Sequence, residues 1–306
     1  MVSIYYRNIK ESTLKKLDEF KVGSWISVQS PTEEEIAELV EKHALNDGLL
    51  RDALDFYEVP RVEVDGNVTY VFLRYPYTEE ERIFTAPALI AIGEDFFLTV
   101  SAQPFPIEEK FVNGEVDFFT TQKTKFFLQF FFQINTSYTA LLNSISRRIR
   151  AMGIKLERIE NRDIMQLVAF ENILNDFSAA LVPTSVMLQN LLSGKYFRLY
   201  KNDQDLIEDL FLNTGQLVEQ CRSNATSIVT VREAYSSIMT NNLNRVIRRL
   251  TALTIIFMVP NIVSGYFGMN VGLPYAEAAH AFSGILAFTL GITTILVFIL
   301  WKNRWL

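Results

Sequence analysis

The sequence predicts an α+β membrane protein: an N-terminal α/β domain, then long helices, then two transmembrane helices at the C-terminal end. Three observations carry this. Leu250–Ala276 and Ala278–Trp301 contain no Asp, Glu, Lys or Arg, and roughly 20 apolar residues are enough to cross a bilayer. Alternating patterns dominate residues 1–120, and helical periodicity follows. Charge is also divided: residues 241–306 hold five basic residues and one acid, whereas the first 240 hold 24 basic and 34 acidic residues.

In the first 120 residues, SIYYR and SWISV have strand character. SPTEEEIAELVEKHAL carries a helix-start signal, with Ser30 as N-cap, Pro31 at N1 and Glu33 at N3. RVEVDGNVTYVFLRY alternates on both sides of Asp65-Gly66 and predicts a hairpin. ALIAIGEDFFLTVS predicts another that turns near Gly93. These patterns give elements but not their connectivity.

Two helices are predicted over 122–157 and 161–192, with a break at SGKYFRLYKND. Within the first of these, residues 126–146 lack charge but contain two Gln and two Asn. Amides in lipid are expensive, so this stretch predicts a helix packed within the soluble part. No proline lies between Pro183 and Pro260. One helix is therefore expected to run from about Asp203 into the first span, through Gly215. The expected division is 1–120 for the α/β domain, 121–202 for a helical hairpin and 203–267 for a stalk continuing into the first span. A loop at 268–280, a second span at 281–301 and a tail at 302–306 complete it.

Arg245, Arg248 and Arg249 precede the first span, and Lys302 and Arg304 follow the second. The intervening GMNVGLPYAEAAHA has neither Lys nor Arg, and Glu277 is its one acid. Basic flanks remain in the cytoplasm, so the expectation is a multi-pass protein of the cell membrane with both termini cytoplasmic. Trp301 and Trp305 suit interfacial anchors. Cys221 is the single cysteine and can form no internal disulfide, which fits a cytosolic bulk. The N-terminus MVSIYYRNIK lacks a signal-peptide core, so membrane entry is assigned to the C-terminal spans. The acidic balance argues against nucleic acid as a partner.

Two spans alone make no pore, and polar groups within them need a partner or a wet lumen. Asn244, Ile247, Leu250 or Thr251, Thr254, Met258, Asn261 and Gly265 follow one another at steps of three or four, along one helix face. Amides stand at both ends of that face, with large apolar side chains between. Copies around an axis would form a narrow tube with a hydrophobic constriction, of the kind that gates by dewetting. The alternative is a helix-packing face with stray Asn. Pro260 frees a carbonyl in the preceding turn. Gly268-Met269-Asn270 closes the span. A ring of Asn270 amides would offer oxygen dipoles without fixed charge, which suits a reluctantly dehydrated ion such as Mg²⁺. Gly268 allows a close backbone turn there.

LTALTIIFMVPNIVSGYFGMN, followed by a short loop, a final span and KNRWL, resembles the CorA magnesium transporters with their Gly-Met-Asn signature. The resemblance covers 203–306 well; over 1–200 it rests on size and order. It implies a homopentamer with a cytosolic funnel, and Gly268, Met269 and Asn270 as selectivity filter. It further implies a polar ring at Asn244, a hydrophobic gate at Leu250 and Met258, and pore-lining Thr254, Asn261 and Gly265. Glu233 falls where the family often has an acid, 11 residues or about three turns before Asn244. It stands equally as a cytoplasmic-mouth residue or a solvated charge. Asp209 matches the family's acidic position for regulatory Mg²⁺; a plain surface acid is the alternative. The sequence departs from the family in several places. Val259 separates Met258 from Pro260, Asn261 stands where a hydroxyl is common, Glu277 is a lone loop acid, and the basic tail is short.

The expected function is passive, potential-driven Mg²⁺ uptake gated by intracellular Mg²⁺, with Co²⁺ and Ni²⁺ also passing. Transported and regulatory Mg²⁺ is the only cofactor expected. A zinc or broad divalent cation transporter is the first alternative, and a non-transporting membrane-anchored sensor or scaffold the second. The chain has no Gly-x-x-x-x-Gly-Lys loop. Two His, one Cys and no recognisable nucleophile–base set argue against an enzyme.

Overall fold

The computed structural model describes all residues except 12, 157–158, 195, 197–199, 273–279 and 306. The chain divides into two compact units, one of Met1–Lys155 and Ile159–Thr230, the other mainly of Val231–Leu306.

The first unit is built on a seven-stranded sheet. Its strands are β1 (Val2–Tyr6), β2 (Lys15–Leu17), β3 (Ser24–Gln29), β4 (Arg61–Asp65), β5 (Val68–Glu79), β6 (Arg82–Ile92) and β7 (Phe96–Ser101), in the order β2-β1-β3-β7-β6-β5-β4. Both expected hairpins form: β4 pairs antiparallel with β5, and β6 with β7. The parallel β3–β7 pair was not readable from sequence. It joins segments some 70 residues apart, which no local pattern encodes.

Alternation within the strands sends side chains to two helical layers. Ile26, Val28, Leu98 and Val100 join Ile36, Leu39, Leu49 and Leu50 in a core under α1 (Glu33–His43) and α2 (Asp47–Asp52). The neighbouring Trp25 and Phe97 belong to an aromatic cluster with Phe111, Phe118, Phe126 and Phe130. Phe111 lies on α3 (Pro106–Val112), and Phe126 and Phe130 on α4 (Lys123–Ile154). Phe126 is fully buried, with ring centroids of Phe97 and Phe118 both 4.5 Å away. Truncating such a ring costs about 3–5 kcal/mol.

The first helix begins later than expected. Thr32, not Ser30, is the N-cap: Glu35 N–H donates to Thr32 Oγ1 at 3.2 Å, and Thr32 N–H donates to Glu35 Oε2 at 3.0 Å. Ser30 is unsuited to capping because its backbone is left-handed at φ 45° and its hydroxyl donates to Ala102 O at 2.8 Å. β2, α2 and α3, each of seven residues or fewer, are too short to carry a periodic pattern of their own.

Glu108 fastens α3 to the sheet from a buried position. Ser27 Oγ and Gln29 Nε2 donate to its Oε2 at 2.6 and 2.7 Å, and Thr99 Oγ1 donates to Oε1. Burial pushes its carboxyl up from the ordinary range, against these hydrogen bonds.

α5 (Asn161–Leu191) and the part of α6 (Lys201–Phe267) up to Thr230 complete this unit. The break expected at 193–203 lies partly outside the described residues. The charge-free stretch of α4 is packed within the soluble unit: Phe127, Phe131, Asn135, Tyr138, Leu142 and Ser146 are all buried. Two of its buried polar side chains bond to α6. Asn135 Nδ2 donates to Thr214 Oγ1 at 2.9 Å, and Ser146 Oγ donates to Asn224 Oδ1 at 2.9 Å.

The second unit contains the rest of α6 and α7 (Ala281–Lys302). Both helices are long and apolar enough to cross a membrane.

Candidate ion pathway

α6 continues unbroken to Phe267, with Pro260 inside it. Its hydroxyls are satisfied locally: Thr251 Oγ1 donates to Ile247 O and Thr254 Oγ1 to Leu250 O, both at 2.9 Å. This removes their demand for a partner outside the helix.

The burial pattern separates two stripes. Ala252, Ile255, Ile256, Val259, Pro260 and Val263 are buried or half-buried; on α7 so are Ile285, Thr289, Ile292, Leu296 and Leu300. Each helix thus has a covered stripe within the unit. Leu250, Thr254, Met258, Asn261 and Gly265 are exposed. They lie two residues out of step with Ala252, Ile256 and Val263, which is about 200° around a helix. The amides and hydroxyls that sequence placed on one face therefore occupy the uncovered side.

Thr254, Met258 and Asn261 also share a shallow hollow of about 510 Å³ with Phe257 and Ile262. Leu250 and Gly265 extend the same stripe below and above it. Asn244 and Glu233 are exposed earlier on the same helix.

The span ends in a tight turn. Gly268 N–H donates to Ser264 O at 2.9 Å, and Met269 N–H to Tyr266 O at 3.4 Å. A Cβ at position 268 would meet Ser264 O at 3.1 Å. Glycine fits here because the backbone leaves little room. Met269 and Asn270 follow, both exposed. The lone loop acid Glu277 lies outside the described residues.

Asp209 lies in the first unit, exposed, on the wall of a cavity of about 540 Å³. Glu115, Asp117, Lys125 and Gln129 share that wall. Sequence reasoning missed these neighbours, since the 115–129 segment reaches α6 only through tertiary packing. Gln129 Nε2 donates to Asp117 O at 2.6 Å, while its Oε1 is buried without a partner among the described residues. Among the described residues no three His, Cys, Asp or Glu side chains converge to hold a metal ion. The oxygen donors of the uncovered α6 stripe and its end are amides, hydroxyls and backbone carbonyls.

Two curated relatives are both cobalt/magnesium transport proteins CorA. That of Methanocaldococcus jannaschii is 26% identical over 307 residues, covering 95% of each chain. That of Thermotoga maritima is 20% identical and covers 98% of this chain and 89% of its own. The complete structure of the CorA magnesium transporter from M. jannaschii superposes with a TM-score of 0.89 at 23% identity, covering 100% of this chain and 99% of that one. The shared fold has a soluble N-terminal part and two C-terminal membrane helices. The profile of the family described as CorA-like Mg²⁺ transporter protein matches residues 20–302, and this membrane protein therefore belongs to that family.

Proposed function

We propose that the chain is a subunit of a passive divalent cation channel that admits Mg²⁺. The observation that carries this is the uncovered stripe Leu250–Thr254–Met258–Asn261–Gly265, which leads to Gly268-Met269-Asn270. Asn261 and Asn270 amides turned to hydrocarbon would be left unsatisfied at a cost of several kcal/mol each. Copies of the chain set around an axis place them in water instead, and the family resemblance makes five the expected number. The names of the relatives, cobalt/magnesium transport proteins, support the ion class.

In this reading Asn270 amides hold the waters of an arriving hydrated ion, and Gly268 lets the backbone close in beside them. Leu250 and Met258 form an apolar constriction that closes by dewetting. Asn244 makes a polar ring nearer the cytoplasm, with Glu233 at the mouth. A divalent ion gains about 4.6 kcal/mol per 100 mV of inside-negative potential, so uptake across the plasma membrane needs no nucleotide. Both termini are cytoplasmic. Asp209 holds regulatory Mg²⁺ together with a neighbouring copy, which ties closure to internal Mg²⁺.

The test is Mg²⁺ entry into potential-clamped liposomes containing the full chain. Wild type is expected to conduct, Asn270→Ala to lose most of the flux, and Asp209→Asn to conduct at internal Mg²⁺ levels that close wild type. Zn²⁺ or Co²⁺ flux without Mg²⁺ flux would overturn the ion assignment. Background flux of every divalent ion would favour a sensor or scaffold.

A further inference from the structure

Five cations gather at one end of the two membrane helices. Arg245, Arg248 and Arg249 precede the apolar part of α6, while Lys302 ends α7 and Arg304 follows it. Two helices that cross one bilayer in succession return the chain to the side it left. The cations therefore share one interface. All five are exposed, and none forms an ion pair with a described residue.

Their placement around α6 is selective. Arg245 and Arg249 continue the stripe of Ala252, Ile256, Val259 and Val263 at steps of four and three, with Arg248 beside it. That is the side away from Leu250, Thr254 and Asn261. A positive ring facing a cation path would oppose entry; these cations lie instead in line with the covered stripe of α6 and stay exposed before it begins.

The end of α7 adds an interfacial anchor. Trp305 N–H donates to Leu300 O at 3.0 Å, and Arg304 takes a left-handed φ of 56°. The chain thus folds back at the helix end, with Trp301 67% exposed beside Lys302. Indole rings settle at headgroup level, and guanidinium groups match phosphate oxygens.

We propose that Arg245, Arg248, Arg249, Lys302 and Arg304 form a binding surface for anionic phospholipid headgroups of the cytoplasmic leaflet, framed by Trp301 and Trp305. This rests on the reading that α6 and α7 span a bilayer, and is independent of which ion crosses. Each cation near an anionic surface contributes a factor of about five in affinity.

The chain's three tryptophans provide the assay. Trp25 is fully buried in β3, whereas Trp301 and Trp305 sit beside the cations. The full chain is reconstituted in vesicles containing brominated phosphatidylglycerol or brominated phosphatidylcholine, and tryptophan quenching is compared. At low salt the anionic lipid should be enriched at least about fivefold, and rising salt should erode the preference. Arg245→Gln/Arg248→Gln/Arg249→Gln should lose at least about fivefold of it, and the triple Lys variant should keep most of it. Equal quenching by both lipids would overturn the proposal. So would a preference that neither salt nor the Gln triple changes. Should the Gln triple fail to insert, the salt series on wild type decides. Millimolar inorganic phosphate that abolishes the preference would reassign the site to free phosphate. Equal quenching with intact Mg²⁺ flux would sink the lipid surface alone; lipid preference without flux would sink the transport reading alone.

Discussion

The amide–hydroxyl pair between α4 and α6 should be dispensable for stability, provided both partners go together. Asn135 and Thr214 are 2% and 0% exposed. The Thr214 hydroxyl donates its proton to Leu210 O at 2.7 Å, so its oxygen can only accept, and Asn135 must present Nδ2 to it at 2.9 Å. Asn135 Oδ1 is then left without a partner among the described residues. Thr214→Val strands the whole amide and should cost about 1–3 kcal/mol. Asn135→Leu removes the amide and leaves the hydroxyl bonded within its own helix; it should be nearly neutral. The double variant loses one hydrogen bond worth about 1 kcal/mol net but also removes the stranded oxygen, so it should match or exceed wild type by up to about 2 kcal/mol. Denaturant unfolding in detergent, followed by Trp25 fluorescence in a Trp301→Phe/Trp305→Phe background, measures all four corners of the cycle. The reasoning fails if Thr214→Val is as stable as wild type, or if the double variant is more than about 1 kcal/mol less stable.

Two further outcomes are expected. Glu108→Gln should gain stability over wild type as pH rises. Burial raises the folded-state pKa of Glu108 above the ordinary 4.5, so its stabilisation is complete below that value and is lost as pH rises through the folded pKa. The Trp25 unfolding signal between pH 5 and 8 should show a widening gap; a constant gap would refute the assignment. Met258→Ser, at a side chain 56% exposed in one chain, should leave that signal unchanged while raising Mg²⁺ leak under closing conditions severalfold. Unaltered leak would remove Met258 from the gate.

Much of the fold was legible because its signals are local. Asp65-Gly66 between alternating runs marks a hairpin, and the amides Asn135 and Asn143 mark a charge-free helix that does not belong in lipid. The missing pieces are relations between distant residues. Asn135 and Thr214 are 79 positions apart, and nothing near either one names the other. Ser30 has the residue type of a cap, but its hydroxyl is engaged by Ala102, just past the end of β7, a contact no local pattern names. In the candidate pathway the stripe from Asn244 to Gly265 was readable from its period. The covered stripe was not, because Ile256 and Val259 are as apolar as Leu250 and Met258. Burial distinguishes them, and burial depends on a second helix.

Asparagine does two opposed jobs along α6, and its surroundings decide which. Asn224 is buried in the seam with α4, where its Oδ1 accepts from Ser146 Oγ at 2.9 Å and its Nδ2 has no partner among the described residues. A slip of one helical turn, about 5.4 Å, would set Asn135 against Leu210 or Leu217 instead of Thr214, stranding its amide. Buried pairs of this kind favour one axial register of α6 on α4 over its neighbours, even where they add nothing to stability. Asn244, Asn261 and Asn270 have no such seam; in one chain they are exposed. Asn261 is the critical case, because it stands within the apolar span, where neither lipid nor a side chain of the covered stripe can satisfy it. In the proposed channel water would meet that demand, and α6, which carries Thr214 and Asn224, is also the helix that carries Asn261.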